Sequence, residues 1–230
     1  MMRLSRRGLR DPGLLALLGT LALLAMPIAL GRAQTAITRD DVIAKLNHYE
    51  TDAEIDVPAL RQQVAERSKS RSKNEPPPSK RPPIAPDLTK LPTFNVDIAF
   101  DVDTPIVMPE SYQTVGRIAD ALTHSALLPY TFLIVGHIES TGRRDNNVLL
   151  SQRRADAVRD ILVNTFKITP KRLQSVGLGE EQLLDSAKPN APVNNQVQIM
   201  LVAKLADSAP PAHPAPAAAA KKPAKSAKKH

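Results

Sequence analysis

Hydrophobic residues recur with the spacing of strands and helices between residues 93 and 203. Apolar and polar positions alternate over residues 94–100, which predicts a strand with one buried face. Apolar side chains three and four positions apart over residues 109–122 predict an amphipathic helix. The continuous apolar run at 132–135 predicts a buried central strand, and residues 145–166 predict a long second helix with an apolar stripe.

Two further strands complete this part of the chain. A short strand is expected over residues 173–178. The last strand alternates, with Val197, Ile199 and Leu201 facing a core while Gln196, Gln198 and Met200 face outward. The order strand, helix, strand, helix, strand, strand predicts an α+β fold, a β-α-β-α-β-β sandwich. Its two helices are expected to pack on one face of a small mixed sheet, and the opposite face of the first and last strands is expected to be polar.

The flanking segments are expected to lie outside the domain, which is assigned to residues 92–205. Residues 34–66 form a short acidic, partly helical segment with too few apolar residues to fold alone, so it must dock or remain mobile. Its sequence Thr38-Arg39-Asp40-Asp41 resembles a helix capping box. Residues 67–91 form a basic, Pro-rich linker that predicts an extended spacer. The Ala/Pro/Lys-rich tail, residues 206–230, is expected to be disordered.

The amino terminus has the features of a secretory signal peptide over residues 1–33. Four arginines precede an uncharged apolar stretch at 13–30, and Gly31-Arg32-Ala33 offers small residues for cleavage after Ala33. The alternative is an uncleaved membrane anchor, although 18 apolar residues are short for a spanning helix and Pro27 interrupts them. Either interpretation predicts a periplasmic or cell-envelope location, with outer-membrane association as one possibility.

Composition and charge exclude several classes of site and function. The chain of 230 residues contains no cysteine, which excludes disulfides, zinc–thiolate sites, cysteine nucleophiles and a lipidated N-terminal cysteine. Basic residues outnumber acidic ones by seven to two over residues 67–90 and by five to one over 206–230, whereas residues 91–205 hold eleven basic and twelve acidic residues. The nearly neutral domain argues against nucleic-acid binding. The basic linker and tail are expected either to contact an anionic envelope surface or only to increase solubility.

Five motifs follow one another in fixed order across residues 93–203. They are Phe100-Asp101-Val102-Asp103 with Pro109-Glu110, then Gly136-His137-Ile138-Glu139-Ser140-Thr141-Gly142, Asn147 with Leu150-Ser151-Gln152-Arg153-Arg154-Ala155, Gly177-Leu178-Gly179-Glu180, and Asn194-Asn195-Gln196-Val197-Gln198-Ile199. This series closely resembles the OmpA C-terminal-like domain, the OmpA/MotB/Pal type of peptidoglycan-binding module. That family's pattern is G-H-T-D-x-x-G followed by N-x-x-L-S-x-x-R-A.

The resemblance implies a non-enzymatic protein that binds peptidoglycan through the diaminopimelate of the stem peptide. In the family an aspartate and an arginine hold the amino-acid end of diaminopimelate, and these positions are Glu139 and Arg154 here. The resemblance also assigns four further residues to the site: Asn147, Leu150, Ile138 and Asp103. A carboxylate and a guanidinium suit this ligand because its end carries an ammonium and a carboxylate, each able to form a charge-assisted hydrogen bond.

Several positions depart from the family pattern. Glu139 replaces the aspartate, Ile138 replaces a threonine, and Asn195 and Gln196 stand where the family has two arginines. These changes predict weaker or altered binding, since a charge-assisted hydrogen bond contributes about 1.5–3 kcal/mol. Two other arginines, Arg143 and Arg144, could attract an anionic part of the polymer or could be solvated loop residues.

Other functions find less support in the residues. No nucleophile–base pair or phosphate-binding loop is present, so no enzyme activity and no cofactor are predicted. His137 is expected to be a hydrogen-bonded core residue, and no metal site is predicted because the remaining histidines lack ligand spacing. Two alternatives stay open. One is a divergent OmpA-like scaffold that has lost peptidoglycan binding and acts as an interaction module, with Glu139 and Arg154 forming an ordinary ion pair. The other is an anchored relative of flagellar stator subunits, although residues 13–30 lack the acidic residue of a proton path.

Overall fold

The computed structural model describes residues 37–47, 53–70 and 75–205. The predicted signal peptide, the apolar stretch at 13–30 and the predicted disordered tail lie outside the described residues. Within the described parts of the chain, no helix is both long enough and apolar enough to cross a membrane.

A mixed four-stranded sheet forms the centre of the fold. Its strands are β1 (Thr93–Val96), β2 (Tyr130–His137), β3 (Leu173–Gly179) and β4 (Val197–Lys204). Their order across the sheet is β1-β4-β2-β3; β2 and β3 run parallel, and β4 is antiparallel to both β1 and β2. The predicted α+β fold and the β-α-β-α-β-β order are confirmed. The first strand is shorter than predicted, because after Val96 the chain leaves the sheet and makes an isolated bridge between Phe100 and Val107.

Two helices cover one face of the sheet, as the sequence predicts. Helix α3 (Tyr112–Leu122) presents Val115, Ile118 and Leu122 to this core, and the longer α4 (Arg144–Asn164) adds Val158 and Leu162. The inward side chains of the last strand, predicted from alternation, belong to the same cluster. This packing places Val148 and Ser151, in the first turns of α4, beside Gly179 and Gly136 near the carboxyl ends of β3 and β2.

Two glycines allow α4 to lie directly against the sheet. A Cβ atom at Gly136 would lie 2.2 Å from the backbone oxygen of Ser151, and one at Gly177 would lie 2.1 Å from the backbone nitrogen of Gln152. No side chain fits into these spaces. The backbones of β2, β3 and α4 are therefore held at a separation that only glycine permits at these two positions.

The opposite face of the sheet is buried at β2, β3 and β4, which corrects the prediction of a polar face for the last strand, whereas Asn95 of the first strand is polar and exposed there. Leu133, Val135, Val176 and Leu178 point to this face, and Met200 is buried with them. Because β2 and β3 are apolar on both sides, a second layer is needed to exclude water from them. Helix α2 (Val57–Lys69) provides much of this layer through a cluster formed by Val57, Leu60 and Val64.

The acidic segment before the domain docks onto it rather than folding alone. Helix α1 (Arg39–Leu46) begins with the predicted capping box, in which Thr38 and Asp41 bond to each other's backbone N–H. Its Val42 and Leu46 are buried in the first core, where α1 packs against α3. The described residues, including α1, belong to one compact unit.

The Pro-rich linker differs from the extended spacer that its composition predicts. Residues 75–91 contain two short 3-10 helices, Pro78–Lys80 and Pro86–Lys90, and Leu88 of the second helix packs on the second face of the sheet. Leu88 is 1% exposed and Leu91 is 8% exposed. The prolines keep the segment out of α-helix and sheet, but the apolar residues between them pack on the hydrophobic second face of the sheet.

Candidate functional site

A pocket of about 610 Å³ lies at the carboxyl end of β2, beside the first turns of α4. The loop after β2 forms one side, α4 forms another, and residues 97–100 with Val102 and Asp103 form a third. The structure brings together all six site residues predicted from the sequence, because each of them lines this pocket: Asp103, Ile138, Glu139, Asn147, Leu150 and Arg154.

Glu139 stands two residues after the end of β2, where the loop turns towards α4. Its backbone N–H donates to Oδ1 of Asn195 at 3.0 Å, which fixes the loop against the residues that precede β4. The Glu139 carboxylate makes no hydrogen bond or ion pair with any described residue. It is thus a half-buried anion in the wall of the pocket with its hydrogen-bonding capacity available.

Arg154 projects into the pocket from the third turn of α4. Its Nε donates to the carbonyl oxygen of Thr104 at 3.0 Å, and the guanidinium carbon lies 4.8 Å from the centre of the Phe100 ring. Burial lowers the pKa of Arg154, an effect that the nearby Asp103 partly opposes. One hydrogen bond and one cation–π contact therefore orient the guanidinium, while neither Nη atom has a hydrogen-bond partner among the described residues. Arg154 forms no ion pair with Glu139 in this part of the chain.

Asn147 lines the pocket but is almost fully buried, with 4% of its surface exposed. Its Nδ2 donates to the backbone oxygen of Glu139 at 3.3 Å and to Glu180 at 2.9 Å, and its Oδ1 accepts from Thr141 at 2.8 Å. All these partners belong to the protein, so the geometry makes Asn147 a residue that positions the loop carrying Glu139. Ile138 is also buried, and Leu150 adds a half-buried apolar surface to the wall.

Asp103 lies on the opposite side of the pocket, in the turn that follows β1. Its backbone has a φ of 54°, a left-handed conformation that aspartate tolerates better than most residues. The carboxylate is 3.5 Å from Nη2 of Arg143, and both side chains are largely exposed. This exposed pair closes one side of the pocket mouth.

Six charged side chains line the pocket, three of each sign. They are Asp97, Asp103, Glu139, Arg143, Arg153 and Arg154. The sequence did not single out Asp97 or Arg153. Arg153 lies three residues after Leu150, a spacing that places two residues on one face of a helix, and this signal was present in the sequence. The equal numbers of acids and bases make the pocket suitable for a ligand that itself carries both charges.

Arg144 has a different role from the one that the sequence suggested, because it is neither solvated nor in the pocket. It donates through Nη2 to Glu181 at 2.6 Å and through Nη1 to Glu75 at 2.8 Å, and the bond to Glu181 is the main reason that its pKa is raised. Further ion pairs join Arg67 to Glu181 and Arg81 to Glu180. We refer to these residues as the buried charge cluster: Arg67, Glu75, Arg81, Arg144, Glu180 and Glu181.

The buried charge cluster connects the docked linker to the pocket. Glu180 accepts from Arg81 of the linker with one carboxylate oxygen and from Asn147 with the other. Asn147 in turn bonds to the backbone of Glu139. Three successive contacts thus lead from the Pro-rich segment to the loop that carries the pocket's unpaired carboxylate.

His137 is a buried, hydrogen-bonded residue, as predicted. Its Nδ1 lies 2.9 Å from the backbone oxygen of Gln182, and its Nε2 lies 2.9 Å from Oε1 of Gln198. Burial lowers the pKa of His137, which favours the neutral imidazole. Among the residues that the structure describes, no group of three or more histidine, aspartate and glutamate side chains could hold a metal ion.

Residues 99–196 match the sequence model of the OmpA family, which confirms the resemblance found in the motifs. Over 97 residues the chain is 34% identical to outer membrane porin F of Pseudomonas aeruginosa, a match that covers 42% of this chain and 27% of that protein. Over 92 residues it is 33% identical to a peptidoglycan-associated lipoprotein of Brucella melitensis, covering 39% of this chain and 53% of that protein. The chain thus spans about a quarter to a half of the length of these curated relatives.

A solved structure is also similar to this chain. The peptidoglycan-associated lipoprotein from Burkholderia pseudomallei shares 26% identity and aligns with a TM-score of 0.36, covering 46% of this chain and 86% of that one.

Proposed function

We propose that this chain, whose residues 99–196 form an OmpA-family domain, is an exported, non-enzymatic cell-envelope protein that binds peptidoglycan non-covalently through diaminopimelate. The observation that carries the proposal is the placement of Glu139 and Arg154 in the wall of one open pocket. The name of the relative from Brucella melitensis, a peptidoglycan-associated lipoprotein, supports the same substrate class.

The chemistry of the two side chains matches the free end of diaminopimelate. That end carries an ammonium and a carboxylate on one carbon atom. The Glu139 carboxylate suits the ammonium, and the unoccupied Nη atoms of Arg154 suit the carboxylate as a two-pronged donor. The Arg154 side chain is already oriented by Thr104 and Phe100, so binding orders few additional rotamers.

The departures from the family pattern are compatible with this geometry. Asn195, where the family has an arginine, accepts the backbone N–H of Glu139 and so stabilises the loop. Glu139 is one methylene longer than the family's aspartate, and its carboxylate is free to adjust because no described residue binds it. We therefore expect binding to persist in this chain.

Retention on isolated sacculi tests the proposal. Arg154→Ala removes the expected contact with the ligand carboxylate, and because a charge-assisted hydrogen bond contributes about 1.5–3 kcal/mol, affinity for diaminopimelate-type sacculi is expected to fall about 10- to 100-fold. Arg159→Ala is the matched control, since it removes the same charge from the same helix outside the pocket. Thermal unfolding of both variants shows whether they are folded.

The pattern of retention distinguishes binding in the pocket from a general attraction between the basic residues of the protein and the anionic sacculus. Equal retention of the wild type and Arg154→Ala would contradict the site and would favour the divergent scaffold. Equal retention on diaminopimelate-type and lysine-type sacculi would contradict recognition of diaminopimelate. A parallel weakening of Arg154→Ala and Arg159→Ala would indicate diffuse attraction by positive charge.

The cell-envelope location belongs to the same proposal. Residues 1–33 have the sequence features of a cleaved export signal, and both curated relatives described above carry envelope names. The mass of the protein isolated from cells tests export, because cleavage after Ala33 gives a chain that begins at Gln34. A chain that still begins at Met1 or Met2 would contradict cleavage.

A further inference from the structure

The pocket contains more unpaired positive charge than the end of diaminopimelate requires. Of its three carboxylates, Asp103 is paired with Arg143, and Asp97 also has a partner. Glu139 is left as the carboxylate without a partner among the described residues. The guanidinium of Arg153 likewise has no hydrogen bond or ion pair with any described residue, and both Nη atoms of Arg154 are unoccupied. The available groups are therefore one anion and two cations.

Arg153 belongs to the face of α4 that forms the pocket wall. Asn147, Leu150 and Arg154 line the pocket at helical spacings, and Arg153 lies on the same side, three residues after Leu150. Its side chain is exposed, so a ligand in the pocket can reach it without a rearrangement of the helix.

Neighbouring acids do not neutralise Arg153. The acid at a favourable helical spacing is Asp156, three residues further along α4. Its Oδ1 already accepts from Gln152 at 2.9 Å and from Ser175 at 2.6 Å, and it lies 3.9 Å from Arg61 of α2. By contrast, Arg159 on the same helix bonds to the backbone of Leu173 and pairs with Asp160. Arg153 is thus a pocket-lining cation whose nearest acid on the helix is engaged elsewhere.

We propose that Arg153 recognises a second carboxylate of the bound stem peptide, so that this chain prefers stem peptides in the free-acid form over amidated ones. The inference rests on the proposed function and adds a preference to it. Glu139 and Arg154 engage the amino-acid end of diaminopimelate, and Arg153 engages a carboxylate of an adjoining residue. Two adjoining sources share this chemistry. One is the α-carboxylate of the γ-linked D-glutamate, and the other is the carboxyl end of the D-alanine that follows diaminopimelate.

Titration calorimetry with three synthetic tetrapeptides distinguishes these sources. The first is L-Ala-γ-D-Glu-diaminopimelate-D-Ala as the free acid, the second has the D-glutamate amidated, and the third has an amide at the carboxyl end. Wild-type protein is expected to bind one amidated peptide about three- to tenfold more weakly than the free acid, as expected for a partly solvated charge-assisted hydrogen bond. The peptide that is weakened identifies the carboxylate that Arg153 contacts.

Arg153→Gln and Arg154→Gln complete the design. Arg153→Gln is expected to bind the free acid more weakly than wild type does, by the same factor. It is also expected to bind that amidated peptide no more weakly than the free acid, because the variant no longer contacts the carboxylate that the amide replaces. Arg153→Lys keeps the charge and is expected to restore most of the preference. Arg154→Gln is expected to weaken all three peptides alike, and circular dichroism confirms that each variant is folded.

Two results would overturn the inference, and they are distinguishable. If wild type binds all three peptides equally and Arg153→Gln binds as wild type does, Arg153 reads no second carboxylate, although the proposed function stands. If wild type binds none of the peptides, the proposed function fails and the preference fails with it.

Discussion

Replacing Arg144 by methionine tests whether the buried charge cluster holds the docked segments to the domain. The Arg144 guanidinium is bonded to Glu181, whose side chain is 0% exposed, and it also pairs with Glu75 of the Pro-rich segment at 2.7 Å. Methionine occupies much of the volume of the arginine stem but cannot donate a hydrogen bond. The Glu181 carboxylate then keeps Arg67 as its remaining cationic partner in the described part of the chain.

The expected loss of stability follows from this geometry. Removing one partner of a buried ion pair costs about 3–5 kcal/mol, because the other charge stays buried without compensation. Arg67 still contacts Glu181 at 3.0 Å, so the free energy of unfolding should fall by an amount near the lower limit, about 3 kcal/mol. For a domain of this size the denaturant slope is about 2 kcal/mol per molar urea, which converts the loss to a midpoint shift of about 1.5 M.

Urea unfolding followed by far-ultraviolet circular dichroism measures this shift, since the chain contains no tryptophan. Lys90→Met is the matched control. Lys90 and Asp87 form an ion pair of 2.7 Å with side chains that are 76% and 84% exposed. Surface pairs contribute about 0–1 kcal/mol, so the control midpoint should move by less than about 0.5 M. Both pairs are close contacts, but the Arg144–Glu181 pair is buried and the Lys90–Asp87 pair is exposed.

A double variant, Arg144→Met with Glu181→Met, should recover most of the stability that Arg144→Met loses. It removes both charges, and Arg67, whose side chain is 24% exposed, can turn to water. Equal midpoint shifts for Arg144→Met and Lys90→Met would refute the reasoning from burial. The reasoning would also be refuted if the second substitution lowered the stability of Arg144→Met by as much as an independent substitution would.

Two further outcomes are expected. Gly177→Ala should lower both the unfolding midpoint and sacculus retention, because its Cβ would lie 2.1 Å from the backbone of Gln152 and push α4 away from β3. Gly142→Ala is the comparison for both measurements. A Cβ there meets no atom within 4 Å and only strains a positive φ, so the free energy of unfolding should fall by about 1 kcal/mol. The His137 pKa lies below its ordinary value of 6.5 because of burial, so the unfolded chain takes up a proton that the folded chain resists. The stability should therefore be independent of this group above about pH 6.5 and should decline as the pH falls below that value. The urea midpoints at pH 7.5 and pH 5.5 should differ less in His137→Gln than in wild type. An unchanged difference would show that other groups govern stability in this pH range.

The sequence was a good guide to the pocket because its residues lie on elements that are locally encoded. Glu139 follows a continuous apolar strand, and Arg154 stands on the helix whose apolar stripe faces that strand. Once β2 and α4 pack together, those two positions must approach the same edge of the sheet. Arg153 could have been found as well, since its spacing from Leu150 places it on the pocket side of the helix. Asp97 had no comparable signal, because its position depends on where β1 leaves the sheet.

The docked segments were harder to predict because their contacts join distant parts of the chain. Composition alone predicts that residues 67–91 form an extended spacer, yet Leu88 is buried against a face of the sheet formed by residues from 133 to 202. Arg144 meets Glu181 across 37 positions and Glu75 across 69. No local pattern shows which acid a long guanidinium side chain will reach, so the sequence could not place this arginine in a buried cluster.

Sequence by itself determined the order of strands and helices, since alternation and helical spacing arise from the geometry of a few neighbouring residues. It also determined the chemical types in the pocket, because the motifs occur in a fixed order on those elements. Tertiary structure decided which faces are covered and which charges are neutralised. Both depend on contacts between residues far apart in the chain. Those contacts form only when α2 and the Pro-rich segment pack on the second apolar face of the sheet and exclude water from it.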